Sequence, residues 1–168
     1  WKLTTCGNTG TIICTNETPE AAGISGWLGD NANTRVVNCI NLGRVINGAD
    51  GTGTDGTGRG VFRYSQSQPD PAINCYDLTF DDVVTQYTDH GFMPEDVLNG
   101  KVTYSINALA GSIVYWQTIG EDEYPMPFST SKQVYLQGEL LCDGTPIEGG
   151  TYTNDPVEPV RPPHEYEE

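Results

Sequence analysis

Basic residues are scarce in this chain. Among its 168 residues, 8 are Lys or Arg and 23 are Asp or Glu, which gives a formal net charge of −15. Nucleic acids and anionic membrane surfaces carry charge of the same sign and would repel the chain at long range. The composition therefore predicts that neither is a partner.

Long apolar runs are also missing. No stretch of the sequence approaches the roughly 20 apolar residues of a membrane-spanning helix, so we expect no membrane insertion. Charged residues make up only 18%, whereas Gly occurs 20 times, a composition that favours polar strands and turns over long helices. The chain starts at Trp1 in the middle of a pattern, which predicts that it is a piece of a longer protein.

A short unit recurs along the first half of the chain. Residues 6–12 return as residues 39–45, and the same register begins again at residues 75–77. A second similarity keeps phase with the first, since residues 22–27 follow the first copy and residues 59–64 follow the second. Spacings of 33 and 36 residues between copies are typical of a repeat architecture, in which a short unit buries its apolar face against its neighbour.

Stacked copies should place like residues in ladders about 4.8 Å apart. Asn8, Asn41 and Asp77 occupy one such position. Asn and Asp tolerate the left-handed backbone of a sharp corner and can form hydrogen bonds along a stack. We therefore predict a corner at these three residues, completed by Gly10 and Gly43. The alternation of a strand predicts that Val37 and Cys39 point inward and that Asn38 and Ile40 point outward.

The five cysteines are an odd number, and Cys6, Cys39 and Cys75 share the inward position of the repeat. Stacked free thiols in a narrow core are the favoured interpretation. One disulfide between neighbouring copies is the alternative, because adjacent strands bring Cα atoms within range. The pairing state of Cys14 and Cys142 stays open. Zinc is disfavoured, because no Cys or His partner lies at ligand spacing.

The pattern changes after Asp77. Pro94 and the acidic residues behind it mark a helix start. Apolar residues follow at helical spacing, namely Leu98, Val102, Ile106 and Leu109. Asn99-Gly100 weakens this pattern, so we expect one short helix.

Residues 112–119 and 132–141 read as strands with prolines between them. We interpret the chain as a mainly β solenoid of repeats in residues 1–80. Residues 81–141 would form a C-terminal cap, containing the helix and a β-hairpin, over the open end of the solenoid. Residues 142–168 are rich in Pro and Glu and predict an extended spacer.

The repeat strings at residues 23–27, 38–45 and 74–77 resemble the repeats of bacterial surface proteins that carry the GLUG motif. Residues 94–107, 116–125 and 134–135 are similar to the closing segment of such arrays in gut bacteria. The resemblance implies a right-handed β-helix within a large anchored or secreted protein, with adhesion or accessory roles and no known catalytic residue. Residues 61–64 depart from the family pattern.

Aromatic side chains are the candidate ligand-binding residues, because the apolar face of a sugar ring packs on an aromatic ring. The selected residues are Trp27, Tyr64, Tyr115, Trp116 and Tyr124. Trp27 and Tyr64 occupy equivalent places in neighbouring copies, so both should be buried or both exposed. Tyr115 and Trp116 alternate, so one of them should face outward.

Asp50 and Asp55 lie in a loop of Gly, Thr and Asp that resembles a calcium-binding turn. A flexible insertion without an ion is favoured, because a single loop lacks the second turn that completes such a site. No other cofactor is expected.

Catalytic patterns are weak. The acidic clusters at residues 81–82 and 121–123 alternate in direction along a strand and do not meet across a substrate. His90 has no Ser or Cys placed beside it by a nucleophile motif. With the resemblance to GLUG-motif surface proteins, which implies this role, we expect a non-catalytic extracellular module of a large bacterial cell-surface protein, serving adhesion or ligand display beside the rest of its parent chain. The alternatives are an accessory domain that binds a host or dietary glycan or glycoprotein, and a solenoid enzyme acting on polysaccharides.

Overall fold

A computed structural model describes residues 2–15, 22–26, 35–47, 61, 72–78, 90–138 and 150–157. Its helices and strands, in chain order, are β1 (Lys2–Thr4), β2 (Gly7–Asn8), β3 (Ile12–Cys14), β4 (Arg35–Val37), β5 (Ile40–Asn41), β6 (Val45–Asn47), β7 (Ala72–Ile73), β8 (Tyr76–Leu78), β9 (His90–Phe92), α1 (Pro94–Leu98), α2 (Lys101–Ala110), β10 (Tyr135–Gln137) and β11 (Thr151–Thr153).

The repeated segments pair with one another as parallel strands. We call residues 2–14, 35–47 and 72–78 the first, second and third repeats. One sheet has the order β1-β4-β7, a second the order β2-β5-β8-β9, and a third the order β3-β6. Gly7 lies opposite Ile40, and Asn41 opposite Asp77. The register read from the sequence spacing is therefore confirmed.

The second similarity also keeps its phase. The carbonyl oxygen of Val61 accepts hydrogen bonds from the backbone N–H groups of Ile24 and Ser25, each at 3.0 Å. Val61 is buried, and Ile24 packs against the same apolar cluster. In the described part of these two segments, residues 24 and 25 are thus neighbours of residue 61.

The predicted right-handed β-helix is wrong. The parallel strands are only two or three residues long, β9 joins the second sheet as a fourth strand, and β10 pairs with β11 in antiparallel fashion. Side chains of α1 and α2 pack against Ile40 and Tyr76 of the second sheet. The described residues form a small fold of short parallel and antiparallel sheets with two helices.

The inward and outward directions around Cys39 differ from simple alternation. Val36 and Cys39 are fully buried in one apolar cluster, whereas Ile40, predicted to face outward, is buried in another. Asn38 lies between them with a φ of 53°, and this left-handed residue interrupts the alternation of the strand. The helices cover the face of β5 on which Ile40 lies, so both faces of β5 are buried.

Two apolar clusters form the core. The first cluster comprises Val36, Cys39, Val61, Ala72 and Cys75. The second comprises Ile40, Tyr76, Phe92, Val97, Val102, Ile106 and Tyr115. The first is built from repeat residues and Val61, whereas the second joins the repeats to the helices and to the segment after them.

The amide ladder exists as predicted, but the left-handed corner is elsewhere. Asn8 donates from Nδ2 to Oδ1 of Asn41 at 2.9 Å, and Asn41 donates from Nδ2 to Oδ1 of Asp77 at 2.7 Å. Among the described non-glycine residues, positive φ angles occur at Thr5, Asn38 and Asn74, which precede the repeated cysteines. The corner therefore comes three residues before the ladder.

The predicted single helix is two helices. Pro94 opens α1 and Gly100, with a φ of 87°, separates it from α2. Val102 and Ile106 are buried as expected, whereas Leu98 and Leu109 are 58% and 63% exposed. The break at residues 99–100 rotates the apolar face, so that Val97 takes the inward position of α1.

The strand prediction for residues 112–119 is wrong, since this segment contributes only an isolated bridge from Trp116 to Met126. Within residues 132–141, β10 is a strand, and its partner is β11. The partner of β10 is therefore not the segment 112–119 that the predicted hairpin required. Strand β11 lies inside the region interpreted as a spacer, most of which is outside the described residues.

Gly43 offers a test of how closely the first two repeats approach. A Cβ atom at Gly43 would collide with the carbonyl oxygen of Gly10 and lie 2.5 Å from Nδ2 of Asn8. Gly43→Ala should therefore lower the free energy of unfolding by about 2 kcal/mol, measured by urea denaturation. Gly10→Ala is the matched control, because its added Cβ would come no closer than 3.7 Å to Oδ1 of Asn8. Equal losses in the two variants would contradict the predicted close approach.

Candidate functional site

Four of the predicted site residues lie outside the described residues. They are the aromatic residues Trp27 and Tyr64 and the loop residues Asp50 and Asp55. The acidic pair at residues 81–82 also lies outside them. The predictions for these positions stay predictions.

Tyr115 was predicted as a ligand-binding residue, and the structure corrects this. Its side chain is fully buried. Its hydroxyl lies within hydrogen-bond distance of two carbonyl oxygens, 3.1 Å from that of Cys6 and 3.0 Å from that of Asn38. Tyr115 therefore joins the segment after α2 to the first and second repeats, and its ring is inaccessible to a ligand.

Asn107 of α2 holds Tyr115 in place. Its Oδ1 accepts hydrogen bonds from the backbone N–H groups of Val114 and Tyr115, each at 3.0 Å. Its Nδ2 donates to the carbonyl oxygen of Tyr115 at 2.9 Å. One amide side chain thus satisfies three backbone groups in a segment that has no regular secondary structure.

Trp116, next along the chain, is half-buried and starts the candidate binding surface. Trp116 and Met126 exchange two backbone hydrogen bonds of 2.8 Å. In such an antiparallel pair the two side chains lie on the same face, about 5 Å apart at Cβ. We call residues 116–128 the aromatic loop.

The aromatic loop rests on a buried glutamine. Oε1 of Gln117 accepts a hydrogen bond from Oγ1 of Thr103 at 2.5 Å, and Nε2 donates to the carbonyl oxygen of Val97 at 2.8 Å. Both residues of this side-chain pair are fully buried. The loop is therefore attached to both helices by polar groups that are expensive to leave without partners.

A second amide ties the loop to β11. Nδ2 of Asn154 donates to the carbonyl oxygens of Gln117 and Gln133, each at 2.8 Å, and its Oδ1 accepts the N–H of Ile119 at 2.7 Å. Residues distant in sequence are thereby joined at one point. The aromatic loop is preorganised by this frame.

Asp122 closes the turn inside the loop. Its Oδ2 accepts the backbone N–H of Thr118 at 2.5 Å. This bond, followed by a bond from the Ser131 side chain, lowers the pKa of the Asp122 carboxyl. Asp122 is therefore an ionised structural acceptor, which suits it poorly to act as a general acid.

Two aromatic rings of the loop reach solvent. Tyr124 is 37% exposed and Phe128 is 48% exposed. Glu121 and Glu123 are exposed beside Asp122. Such a surface can stack on a sugar ring or on another apolar face. Of the predicted ligand-binding residues, the structure places Trp116 and Tyr124 in this loop.

The sequence reasoning missed one pair of aromatic residues in contact. The rings of Tyr104 in α2 and Tyr152 in β11 have centroids 5.6 Å apart. Burial raises the pKa of Tyr152, and both residues are half-buried. Their separation in sequence left no pattern that could have paired them.

The three repeated cysteines are free thiols, as the favoured interpretation predicted. Sγ of Cys39 and Sγ of Cys75 lie 3.3 Å from the carbonyl oxygens of Val37 and Val36, respectively. Contact with the Cys75 thiol, and then burial, raise the pKa of Cys39 far above its usual range. Burial likewise raises the pKa of Cys6. These thiols are poor nucleophiles, because the reactive form is the thiolate.

Within the described residues, no three His, Cys, Asp or Glu side chains are grouped as metal ligands would be. Nor does any helix in the described part of the chain have the length and apolarity to cross a bilayer. The chain matches no protein-family model, no curated protein and no solved structure. The resemblance to GLUG-motif proteins therefore stays a prediction.

Alkaline pH provides a test of the buried Tyr115. Burial, followed by the neighbouring thiols, raises its pKa, so the folded chain holds this proton more tightly than the unfolded chain does. The resulting stability is fully present below the unfolded pKa, about 10 for Tyr, and is lost as the pH rises above it. The raised pKa values of Cys6 and Cys39 act in the same direction from about pH 8.5.

Tyr115→Phe should remove one of these titrations. Above about pH 10 the free energy of unfolding should fall less steeply in this variant, by about 1.4 kcal/mol per pH unit. At pH 7 the lost hydroxyl should cost about 1 kcal/mol. Urea denaturation across the pH series measures both effects, with the exposed Tyr124→Phe as the control. If the free energy of unfolding of Tyr115→Phe falls with alkaline pH as steeply as that of the parent chain, the raised pKa of Tyr115 is contradicted.

Proposed function

We propose that this chain is a non-catalytic extracellular module of a large bacterial cell-surface protein, and that it serves adhesion or ligand display. The aromatic loop is its contact surface. The observation that carries this proposal is the contrast between fixed polar groups and exposed rings within residues 116–128. Gln117 and Asp122 are engaged in internal hydrogen bonds, whereas Tyr124 and Phe128 face solvent.

The state of the ionisable groups supports a role without turnover. A general acid and base need pKa values adjusted in opposite directions within reach of one substrate. Asp122 has a lowered pKa because it accepts a backbone hydrogen bond. The pKa of Cys6 is raised by burial, and that of Cys39 by contact with the Cys75 thiol and then by burial. Each shift has a structural cause, and each group is already used by the fold.

The rigidity of the loop supports recognition. Ligand contacts gain affinity when the contacting groups are ordered before binding, since less conformational entropy is then lost. Gln117 attaches the loop to both helices, and Asn154 joins loop residues 117 and 119 to residue 133. Exposed rings on such a frame favour a glycan or a host glycoprotein as the ligand, because both offer apolar sugar faces.

The net charge of −15 also bears on the partner. A neutral glycan can approach this chain without long-range repulsion, whereas a polyanion cannot. We therefore expect neutral sugars to be bound in preference to sulfated or sialylated ones. The resemblance of the repeat strings to GLUG-motif surface proteins agrees with a location outside the cell.

A glycan and glycoprotein array tests the proposal. We expect the purified chain to bind at least one neutral plant or mucin glycan. Tyr124→Ala and Phe128→Ala should each weaken binding by about threefold to tenfold, the value of one aromatic contact. Isothermal titration with the best ligand measures this loss.

Leu109→Ala is the matched control, because Leu109 is an exposed apolar residue of α2 outside the loop. It should bind as the parent chain does. The proposal for the aromatic loop fails if the chain binds no ligand at high micromolar concentration, or if Leu109→Ala weakens binding as much as the loop variants do.

A further inference from the structure

The first repeat lies at the edge of all three parallel sheets. Strands β1, β2 and β3 each have one neighbouring strand among the described residues, namely β4, β5 and β6. All three edges belong to the same repeat. The second repeat therefore covers one side of the first, and the opposite side carries strand edges.

The direction of the peptide groups in β2 identifies the backbone atoms at this edge. The carbonyl oxygens of Cys6 and Asn8 accept hydrogen bonds from the N–H groups of Ile40 and Leu42, at 2.9 and 2.8 Å. In a trans peptide the N–H of the next residue points the opposite way. The N–H groups of Gly7 and Thr9 are therefore directed away from the second repeat.

The same hydrogen bond recurs between the repeats. Tyr76 donates its N–H to the carbonyl oxygen of Cys39 at 2.9 Å, and Ile40 donates its N–H to that of Cys6 at 2.9 Å. Gly7 is the equivalent residue of the first repeat. Its N–H has the direction to donate to the corresponding carbonyl of a further strand.

Residues on this side of the first repeat are less buried than their counterparts in the second repeat. Cys39 and Asn41 in the second repeat are 0% and 2% exposed. Their counterparts in the first repeat, Cys6 and Asn8, are only partly buried. Gly7 is exposed. A further strand would bury these positions as the first repeat buries the second.

The amide ladder gives this edge a direction. A carboxylate only accepts hydrogen bonds, so Asp77 requires Asn41 to donate to it, and Asn41 in turn presents Oδ1 to Asn8. Asn8 uses Nδ2 for Asn41 and for the carbonyl oxygen of Gly10, and its Oδ1 accepts the N–H of Gly10 at 3.1 Å. The remaining lone pair of that oxygen is available to an amide donor.

This polarity argues against a second copy of the chain as the occupant. Two first repeats meeting face to face would oppose two Asn8 oxygens, both of them acceptors. A strand that continues the parallel pattern, with an Asn at the ladder position, instead supplies a donor to the remaining lone pair of Asn8 Oδ1. The edge therefore selects both the direction of the strand and one of its side chains.

Protection against strand pairing is weak here. Natural edge strands carry charged side chains or Pro that block such pairing. Residues 2–15 contain Lys2 as their single charged residue and no Pro, in a chain whose net charge is −15. Electrostatic repulsion is thus weak where these strand edges lie.

We propose that the edge formed by β1, β2 and β3 binds a further strand segment with the sequence pattern of the second repeat, in parallel orientation, with an Asn side chain opposite Asn8. Strand addition of this kind takes its affinity from backbone hydrogen bonds and its specificity from alternate side chains. The proposal does not depend on ligand recognition by the aromatic loop. Its residues are different, so the two proposals can fail separately.

The probe is a synthetic peptide with the sequence of residues 35–47, labelled at its N-terminus. Its Cys39 carbonyl would accept the Gly7 N–H, and its Asn41 amide would reach Oδ1 of Asn8. We expect saturable binding to the full chain by fluorescence anisotropy. With Asp in place of Asn41 in the peptide, a carboxylate oxygen would face Oδ1 of Asn8, and neither atom can donate. This change should weaken binding about tenfold.

Variants of the full chain test the backbone contact. Gly7→Pro removes the N–H that points away from β5, and Pro is tolerated at such an edge position. We expect this variant to keep its unfolding curve and to bind the peptide about tenfold more weakly. Gly7→Ala keeps the N–H, and its Cβ would make an ordinary contact of 3.4 Å with Cγ2 of Ile40, so it should bind as the parent chain does.

If Gly7→Pro does not fold, the binding of the peptide and its variants to the parent chain tests the proposal. No saturable binding of the parent peptide would overturn the proposal. So would equal binding of the Asp-containing peptide, or of a scrambled peptide of the same composition.

Discussion

The hydrogen-bonded column of Asn8, Asn41 and Asp77 is the interaction on which this structure depends. Asn41 and Asp77 are buried, and the loss of a hydrogen-bond donor to a buried carboxylate costs several kcal/mol. A slip of one residue between the repeats would move Asn41 away from Asp77 and turn the neighbouring side chains to the opposite face. The column therefore specifies the pairing register of strands too short to specify it alone.

Both halves of the core are arranged around this column. Cys39 and Cys75 precede its members and pack in the first cluster. Ile40 and Tyr76 adjoin the same column and pack against the helices. Tyr115 then connects the repeats to the aromatic loop, since its hydroxyl reaches the carbonyls of Cys6 and Asn38. The exposed loop is thus held to the repeats through Tyr115 and to the helices through Gln117.

Sequence reasoning could find what repeats and could not find what tertiary contacts decide. The register, the ladder and the free thiols follow from like residues at corresponding positions of the repeats. The β-helix prediction failed because the same apolar residues could cap a solenoid or cover a sheet, and the helices cover the side on which Ile40 lies. Asn107 and Asn154 escaped notice because most of their partners are backbone atoms, which leave no pattern in a sequence.

A double-mutant cycle between Asn41 and Asp77 tests the central claim most directly. The free energies of unfolding of Asn41→Ala, Asp77→Ala and the double variant would be measured by urea denaturation at pH 7. The account predicts that the losses of the two single variants add up to about 2 kcal/mol more than the loss of the double variant, since the contact is buried and involves a carboxylate. Additive losses, within about 0.5 kcal/mol, would show that the column does not hold the repeats in register.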